Sequence, residues 1–446
     1  MADITSNENK HAINGQWLVE YTSSDIGFVR SIMIFNTTDT VSFEAFTRKN
    51  ADRDIFGFWK SVLARTFSSS FKHGSFIRIE NGKMSDSLGV LNLKGIFSSP
   101  MGRYYFNGVL KDGILTAELT NKKKEIKGKF VAVKNSPKLP LSDYPNIVEE
   151  AISVTKKNIY SHQVIQSSEW KIFEHKIKKV SVKIQDDLEL VIAFFYYSGK
   201  LPFSHYALVK EIPEEPEKSI KKDKKKIFFN EINNATAYLN ITSFDGTTQE
   251  MDSAFYLVKD KKYKNLIIDL RQNGGGSIEA GMRFASHLTD SSFFGGIFLT
   301  REYFNKNIKI PHVDEYSKFP HFTEASYDLL MKELHQKEAL CLKVIPDHNP
   351  YKGQVFVLTS GITASTCEPL VYGLKYYKKA IIVGETTAGK MLSAEAFNIS
   401  AGFQIWLPIS DYYTVDGYQI DQKGVLPNIK VKSTDALNYV INNLLK

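Results

Sequence analysis

The chain reads as an α/β core with a mainly parallel sheet and flanking helices, preceded by a helical cap and an N-terminal antiparallel β domain. Three observations predict this. From Asn14 to about Lys134 apolar and polar residues alternate between turn dipeptides. From Pro145 to about Tyr197 apolar residues recur at three-and-four spacing. Beyond residue 227 short apolar runs alternate with helical segments. A length of 446 residues exceeds one core and predicts two or three domains. Their expected bounds are 1–135, 143–210 and 227–446.

In the first region "FIRIENGKMSDSLGVLNLKG", "GRYYFNGVLKDGILTAEL" and "KGKFVAVK" have period-two spacing, broken at Asn-Gly and Asp-Gly. A small barrel or sandwich follows, with no catalytic constellation in it. It reads as a scaffold or partner-binding module, through which oligomers could form. "NSPKLPLSDYP" is a proline-bearing linker. "NIVEEAISVTKKNIY", "SSEWKIFEHKIKKVSVKI" and "DDLELVIAFFYYSG" predict a three-helix cap, stopped at Gly199. A charged linker spans Glu211 to Lys226. "ATAYLNI", "NLIIDL", "GQVFVLT" and "KAIIVGE" then read as strands buried on both faces of a parallel sheet, with helices at "SIEAGMRFASHL" and "EPLVYGLKYY".

Composition narrows the function classes. Apolar content of 43% and charged content of 24% are those of an ordinary soluble globular protein. The net charge of +8 comes partly from solvated runs such as Lys221 to Lys226, and no aromatic-interleaved basic stripe predicts nucleic-acid binding. No stretch reaches the length of a membrane span. Two cysteines, Cys341 and Cys367, make no disulfide framework and leave the compartment open. The polar start fits a cytoplasmic protein or one whose targeting segment is gone. No histidine cluster has zinc-ligand spacing, and no metal or organic cofactor is expected.

Two loops at one edge of the predicted sheet hold the chemistry. In "LIIDLRQNGGGSIEAG" a strand ends near Asp269, three glycines follow, and a helix starts near Ser277. Glycines there let backbone amides approach a ligand. The Lys-Ser/Thr pair of a phosphate loop is absent, and an oxyanion site is the better reading. In "VLTSGITASTCEPL" the strand ends at Thr359 and a helix begins near Glu368-Pro369. Ser365 on that turn is either an N-cap or an exposed nucleophile. Thr366 and Cys367 are rival nucleophiles; a thiol needs an activating environment.

"NLIIDLRQNGGG", "VLTSGITASTCE", "AIIVGETTAGK" and "GVLPNIKV" occur in this order. Together they resemble the C-terminal processing (tail-specific) and tricorn-type serine peptidases, over about Pro145 to Ile429. The resemblance implies a peptidase with crotonase-like layering, Ser365 as nucleophile with Glu368 three residues on, and a peptide or protein substrate. It also implies an exported location. Two bases correspond to two branches of the family. Lys390, twenty-five residues past the serine, matches the tail-specific branch, although Ala394 stands where that branch has a supporting glutamine. Ser204-His205 at the end of the cap, with Asp421 orienting the base, matches the tricorn-like branch, although aspartate stands where glutamate is usual. His162, His175 and His287 match no motif.

Physical chemistry favours histidine. An imidazole with a reference pKa of about 6.5 is largely neutral at pH 7. A lysine near 10.4 must come down by roughly three units, about 4 kcal/mol, in a dry surrounding. The expected machinery is therefore Ser365 as nucleophile, His205 as base with Ser204 beside it, Asp421 holding the tautomer, and the amides of Gly275 and Thr366 for the oxyanion. Lys390 is the alternative base. No segment reads as a PDZ module between cap and core. Two other readings stay open. One is an inactive binding protein for apolar ligands, on the fold shared with retinoid-binding proteins; the other is a structural cell-surface component.

Overall fold

The computed structural model describes residues 12–23, 27–67, 73–87, 90–100, 102–134, 137–211, 225–245, 248–324 and 326–445. Most of the charged linker, including most of the Lys221–Lys226 run, and the polar start lie outside them.

Alternating strands close the N-terminal region into a barrel. Its strands are β1 (Gly15–Ser23), β2 (Gly27–Thr37), β3 (Ser42–Thr47), β4 (Arg78–Ser87), β5 (Val90–Ser99), β6 (Gly102–Lys111), β7 (Ile114–Thr120) and β8 (Ile126–Lys134). Each pairs antiparallel with the next, and β8 pairs back onto β1, so the barrel leaves no open edge. Trp17, Phe35, Phe97, Phe106 and Phe130 are buried within this region. Asp112 and Gly113, both at positive φ, turn β6 into β7. The Asn-Gly pairs correct the sequence reading. Asn81-Gly82 forms a bulge inside β4, and Asn107-Gly108 lies within β6. Helices α1 (Ala51–Phe56) and α2 (Phe58–Phe67) join β3 to β4.

Four helices follow, one more than the spacing predicts: α3 (Tyr144–Asn158), the short α4 (His162–Gln166), α5 (Ser168–Ser181) and α6 (Asp187–Ser198). Asp143, Ser161, Ser167 and Asp186 each cap one of them through the side chain. The start of α6 clamps the barrel. The Arg48 guanidinium grips Glu189 with two nitrogens at 2.8 and 3.0 Å. Asp187 accepts Arg30 and Lys210 at 2.8 Å each and the Tyr144 hydroxyl at 2.9 Å.

After β9 (Ala207–Lys210), the C-terminal half forms two sheets, not one. The first consists of β10 (Ile227–Asn233), β11 (Thr236–Ile241), β12 (Asn265–Asp269), β16 (Gln354–Thr359), β17 (Ile381–Gly384) and β20 (Ile429–Lys430), in that order. All its pairings are parallel except β10 with β11. The second sheet is mainly antiparallel: β9, β19 (Phe403–Thr414), β13 (Phe293–Thr300), β15 (Ala339–Val344) and β14 (His321–Phe322), with β18 (Ser393–Ile399) also on β19. Pairing of β9 with β2 makes it continuous with the barrel. Helices α7 (Thr248–Asp260), α8 (Ile278–Ser286), α9 (Arg301–Lys306), α10 (Tyr327–Gln336), α11 (Cys367–Tyr376) and α12 (Ala436–Asn443) complete the core. The expectation of one mainly parallel sheet omitted the antiparallel layer. Its strands are apolar runs that only long-range pairing identifies.

Candidate active site

The loops after β12, β16 and β17 leave the carboxyl ends of adjacent parallel strands and are laced together. Thr363 Oγ1 donates to the Leu270 carbonyl at 2.8 Å, Ser360 Oγ to Arg271 at 2.6 Å, and the Ala388 amide to Thr363 at 2.8 Å. Arg271 pairs with Asp269 at 2.6 Å and donates to the Ser433 carbonyl at 2.6 Å, which explains Asp-Leu-Arg as a structural tie.

Ser365 ends the second loop at φ 54°, a left-handed backbone unusual for a residue with a side chain. Its amide is held by the Lys390 carbonyl at 3.0 Å and by Glu368 Oε2 at 3.1 Å. The fully buried Glu368 carboxylate also accepts Thr387 Oγ1 at 2.5 Å and the amides of Gly389 and Lys390 at 2.8 Å each. Burial raises its pKa against those four donors, which lower it. Sequence reasoning left Glu368 without a job. The Ser-x-x-Glu spacing of Ser365 and Glu368, the capping-box pattern, was the available signal.

His205 also has a left-handed φ, 58°. It is anchored by its neighbour Tyr206, whose ring packs among Trp170, Phe173, Phe194 and Phe203 and whose hydroxyl meets Thr155 Oγ1 at 2.9 Å. Ser204 Oγ lies 2.7 Å from His205 Nδ1 and 2.5 Å from Asp421 Oδ1. The Ser204 amide donates to Asp421 Oδ2 at 3.0 Å, and the Met391 amide to Oδ1 at 3.1 Å. Asp421 thus reaches the imidazole through Ser204. A carboxylate only accepts, so the single Ser204 proton goes to Asp421, and Nδ1–H must donate to Ser204. That tautomer leaves Nε2 with a free lone pair. Burial lowers the His205 pKa; Asp421 opposes this and the Lys390 charge reinforces it.

The remaining candidates separate clearly. The Lys390 side chain is exposed, without the burial that a lysine base needs. Cys367 is fully buried, its thiol directed to the Asn273 carbonyl at 3.5 Å, and burial drives its pKa far up. Thr366 spends its hydroxyl on the Gly276 carbonyl at 2.7 Å. Gly275 differs from expectation: its amide is already engaged, donating to Asn273 Oδ1 at 2.9 Å. Its α-carbon instead backs the nucleophile, since an added Cβ would stand 2.7 Å from Ser365 Cβ. Among the described residues, the amides of Gly276 and Thr366 keep no such internal acceptor.

The sequence profile of peptidase family S41 matches residues 235–431, which carry Ser365, Asp421 and the glycine loop. That match covers less than half of the chain. Similar proteins include the chloroplastic C-terminal processing peptidase of Tetradesmus obliquus, 26% identical over 44% of this chain and 34% of that protein. Another is the carboxy-terminal processing protease CtpA of Bacillus subtilis, 26% identical over 44% of this chain and 35% of that one. The chain therefore spans about a third of the length of these relatives. Among solved structures, the tricorn protease aligns over 95% of this chain and 57% of its own, at 10% identity and a TM-score of 0.43.

Ser365, His205, Gly276 and Thr366 all line one cavity of about 540 Å³. Ile278 of α8, Phe298 of β13, Leu330 of α10, Leu342 of β15 and Trp406 of β19 make much of its wall apolar. The antiparallel sheet missing from the sequence reading thus supplies a large part of the cavity.

Proposed function

We propose that the chain is a serine peptidase of the endopeptidase or carboxyl-terminal processing kind, closer to the tricorn-like branch. One observation carries the reading: Ser204 bridges His205 and Asp421, so a neutral imidazole presents an unprotonated Nε2 in the cavity that Ser365 lines. In this mechanism Ser365 Oγ attacks the peptide carbonyl carbon as its proton passes to Nε2. The amides of Gly276 and Thr366 take the oxyanion, Thr366 at the free N-terminal end of α11. The intermediate collapses, His205 protonates the leaving amine, and water repeats the cycle on the acyl-enzyme. Asp421 stabilises the imidazolium through Ser204.

Three regions serve this chemistry: a barrel over 1–135, a helical cap over 143–210 that delivers the base, and a crotonase-like core over 227–446. The apolar wall suits peptides with a large apolar side chain beside the scissile bond. An exported setting belongs to the same proposal. A serine-reactive fluorophosphonate is expected to label Ser365, and Ser365→Ala to abolish labelling. Unchanged labelling in that variant defeats the assignment of Ser365, and none in the wild type favours an inactive binder. His205→Ala should abolish peptide turnover while Lys390→Ala retains it; the reverse result would make Lys390 the base.

A further inference from the structure

Helix α2 is built inside out. Ser61, fully buried, and the half-buried Ala64 and Arg65 face the body, where Ser61 Oγ donates to the Gly57 carbonyl at 2.9 Å and Arg65 pairs with Asp52 at 2.6 Å. The apolar residues face solvent: Phe58 is 53% exposed, Trp59 77%, Val62 39% and Leu63 57%. They sit at i, i+1, i+4 and i+5, one continuous stripe on a helix. Soluble surfaces carry scattered apolar residues, but a contiguous aromatic and aliphatic stripe marks a face that something covers.

The charges beside the stripe point to the occupant. Helix α2 contains no acidic residue. The Arg53 guanidinium lies over the Phe58 ring at 5.2 Å, and the ammonium groups of Lys60 and Lys200 lie over the Tyr196 ring at 5.4 and 4.2 Å. Lys60 also donates to the Tyr196 hydroxyl at 2.9 Å. The acids of α1 are committed elsewhere, Asp52 to Arg65 and Asp54 to Arg48 and Lys183. Among the described residues no carboxylate pairs with Arg53, Lys60 or Lys200. Three unneutralised cations around an apolar stripe suit an anionic interface, with rings and aliphatic side chains at the acyl boundary and cations at the phosphates. A second copy of the chain would bring the same three cations against one another, which disfavours self-pairing here.

We propose that this face docks the protein onto an anionic lipid surface through Phe58, Trp59, Val62 and Leu63, with Lys60 and Lys200 on the headgroups. The surface lies outside residues 235–431, so its failure would leave the peptidase reading intact. The test is co-sedimentation of the full chain with vesicles of phosphatidylcholine alone and of phosphatidylcholine with 30% phosphatidylglycerol. Binding is expected only to the anionic vesicles, weakening as salt rises. Lys60→Ala and Lys200→Ala should each lower partitioning roughly fivefold, and Trp59→Glu with Leu63→Glu should abolish it. All four positions are mutated without touching the core, so an unchanged melting temperature checks the fold. Absence of binding to anionic vesicles, or full binding by the Trp59→Glu/Leu63→Glu variant, would overturn the proposal. So would release by inorganic phosphate beyond that by chloride at equal ionic strength, which would assign the cations to free phosphate. A dimer in sedimentation velocity that Trp59→Glu dissolves would assign the face to a second copy.

Discussion

Ser365 and His205 both occupy the left-handed backbone region, at φ 54° and 58°. Holding a residue with a Cβ there costs about 1 kcal/mol, so the two side chains are aimed by strain that the surrounding hydrogen bonds sustain. Ser365→Gly and Ser365→Ala should both be inactive, but the glycine variant should be the more stable by about 1 kcal/mol in denaturant unfolding. Equal stabilities would mean the turn relaxes when the hydroxyl is gone. His205 is the second test at this scale. Burial lowers its pKa, so the base form persists below the ordinary value, and kcat/KM should rise with pH through a midpoint under about 6.5. Lys390 adds to that lowering, hence Lys390→Ala should shift the limb upward while turnover persists. Ser204→Ala removes the acceptor for Nδ1–H and should cost kcat on the order of a hundredfold with KM little changed.

At the scale of elements, the turn between β16 and α11 depends on one buried carboxylate. Each Glu368 oxygen accepts two donors, so Glu368→Gln would turn an amide NH₂ against backbone N–H groups that cannot reverse. A loss of about 3 kcal/mol is expected on thermal unfolding, together with loss of fluorophosphonate labelling. Stability within a few tenths of wild type would show the carboxyl to be protonated already. Much of this element was legible beforehand. Strand ends at Asp269 and Thr359, the small residues between Ser360 and Thr366, and proline early in α11 are local signals. What escaped is the direction of each N–H. Nothing in Asn-Gly-Gly-Gly says that Asn273 folds back onto the Gly275 amide and leaves Gly276 facing the cavity. Asn81-Gly82 escaped similarly, because a left-handed residue serves a bulge as readily as a hairpin turn, while Asn107-Gly108 simply continues β6 in register.

Across the whole molecule the barrel is clamped rather than strung on a linker. Asp187 and Glu189 are almost fully buried, and Arg30 and Arg48, which neutralise them in part, come from the barrel. Deleting residues 1–134 would leave those carboxylates short of partners, and a buried charge stripped of its partner typically costs 3–5 kcal/mol. Arg48 is itself partly exposed, so Arg48→Ala should cost less, about 2 kcal/mol. A truncated chain melting at the temperature of the whole would show that the barrel is merely appended. The β2–β9–β19 connection runs from the barrel past the segment that carries His205 to the cavity wall at Trp406.

Local chemistry written along the chain was enough for the strand-and-turn character of the first region, the helical spacing of the next, and the strand-to-helix turn at Ser365 with the glycine loop beside it. Those features rest on interactions within a few residues. Tertiary structure alone decided the closure of the barrel, the antiparallel sheet, the apolar cavity and the passage from Asp421 through Ser204 to His205. Each of these joins residues tens to hundreds of positions apart, where pairing is chosen by complementary surfaces and not by the order of neighbours.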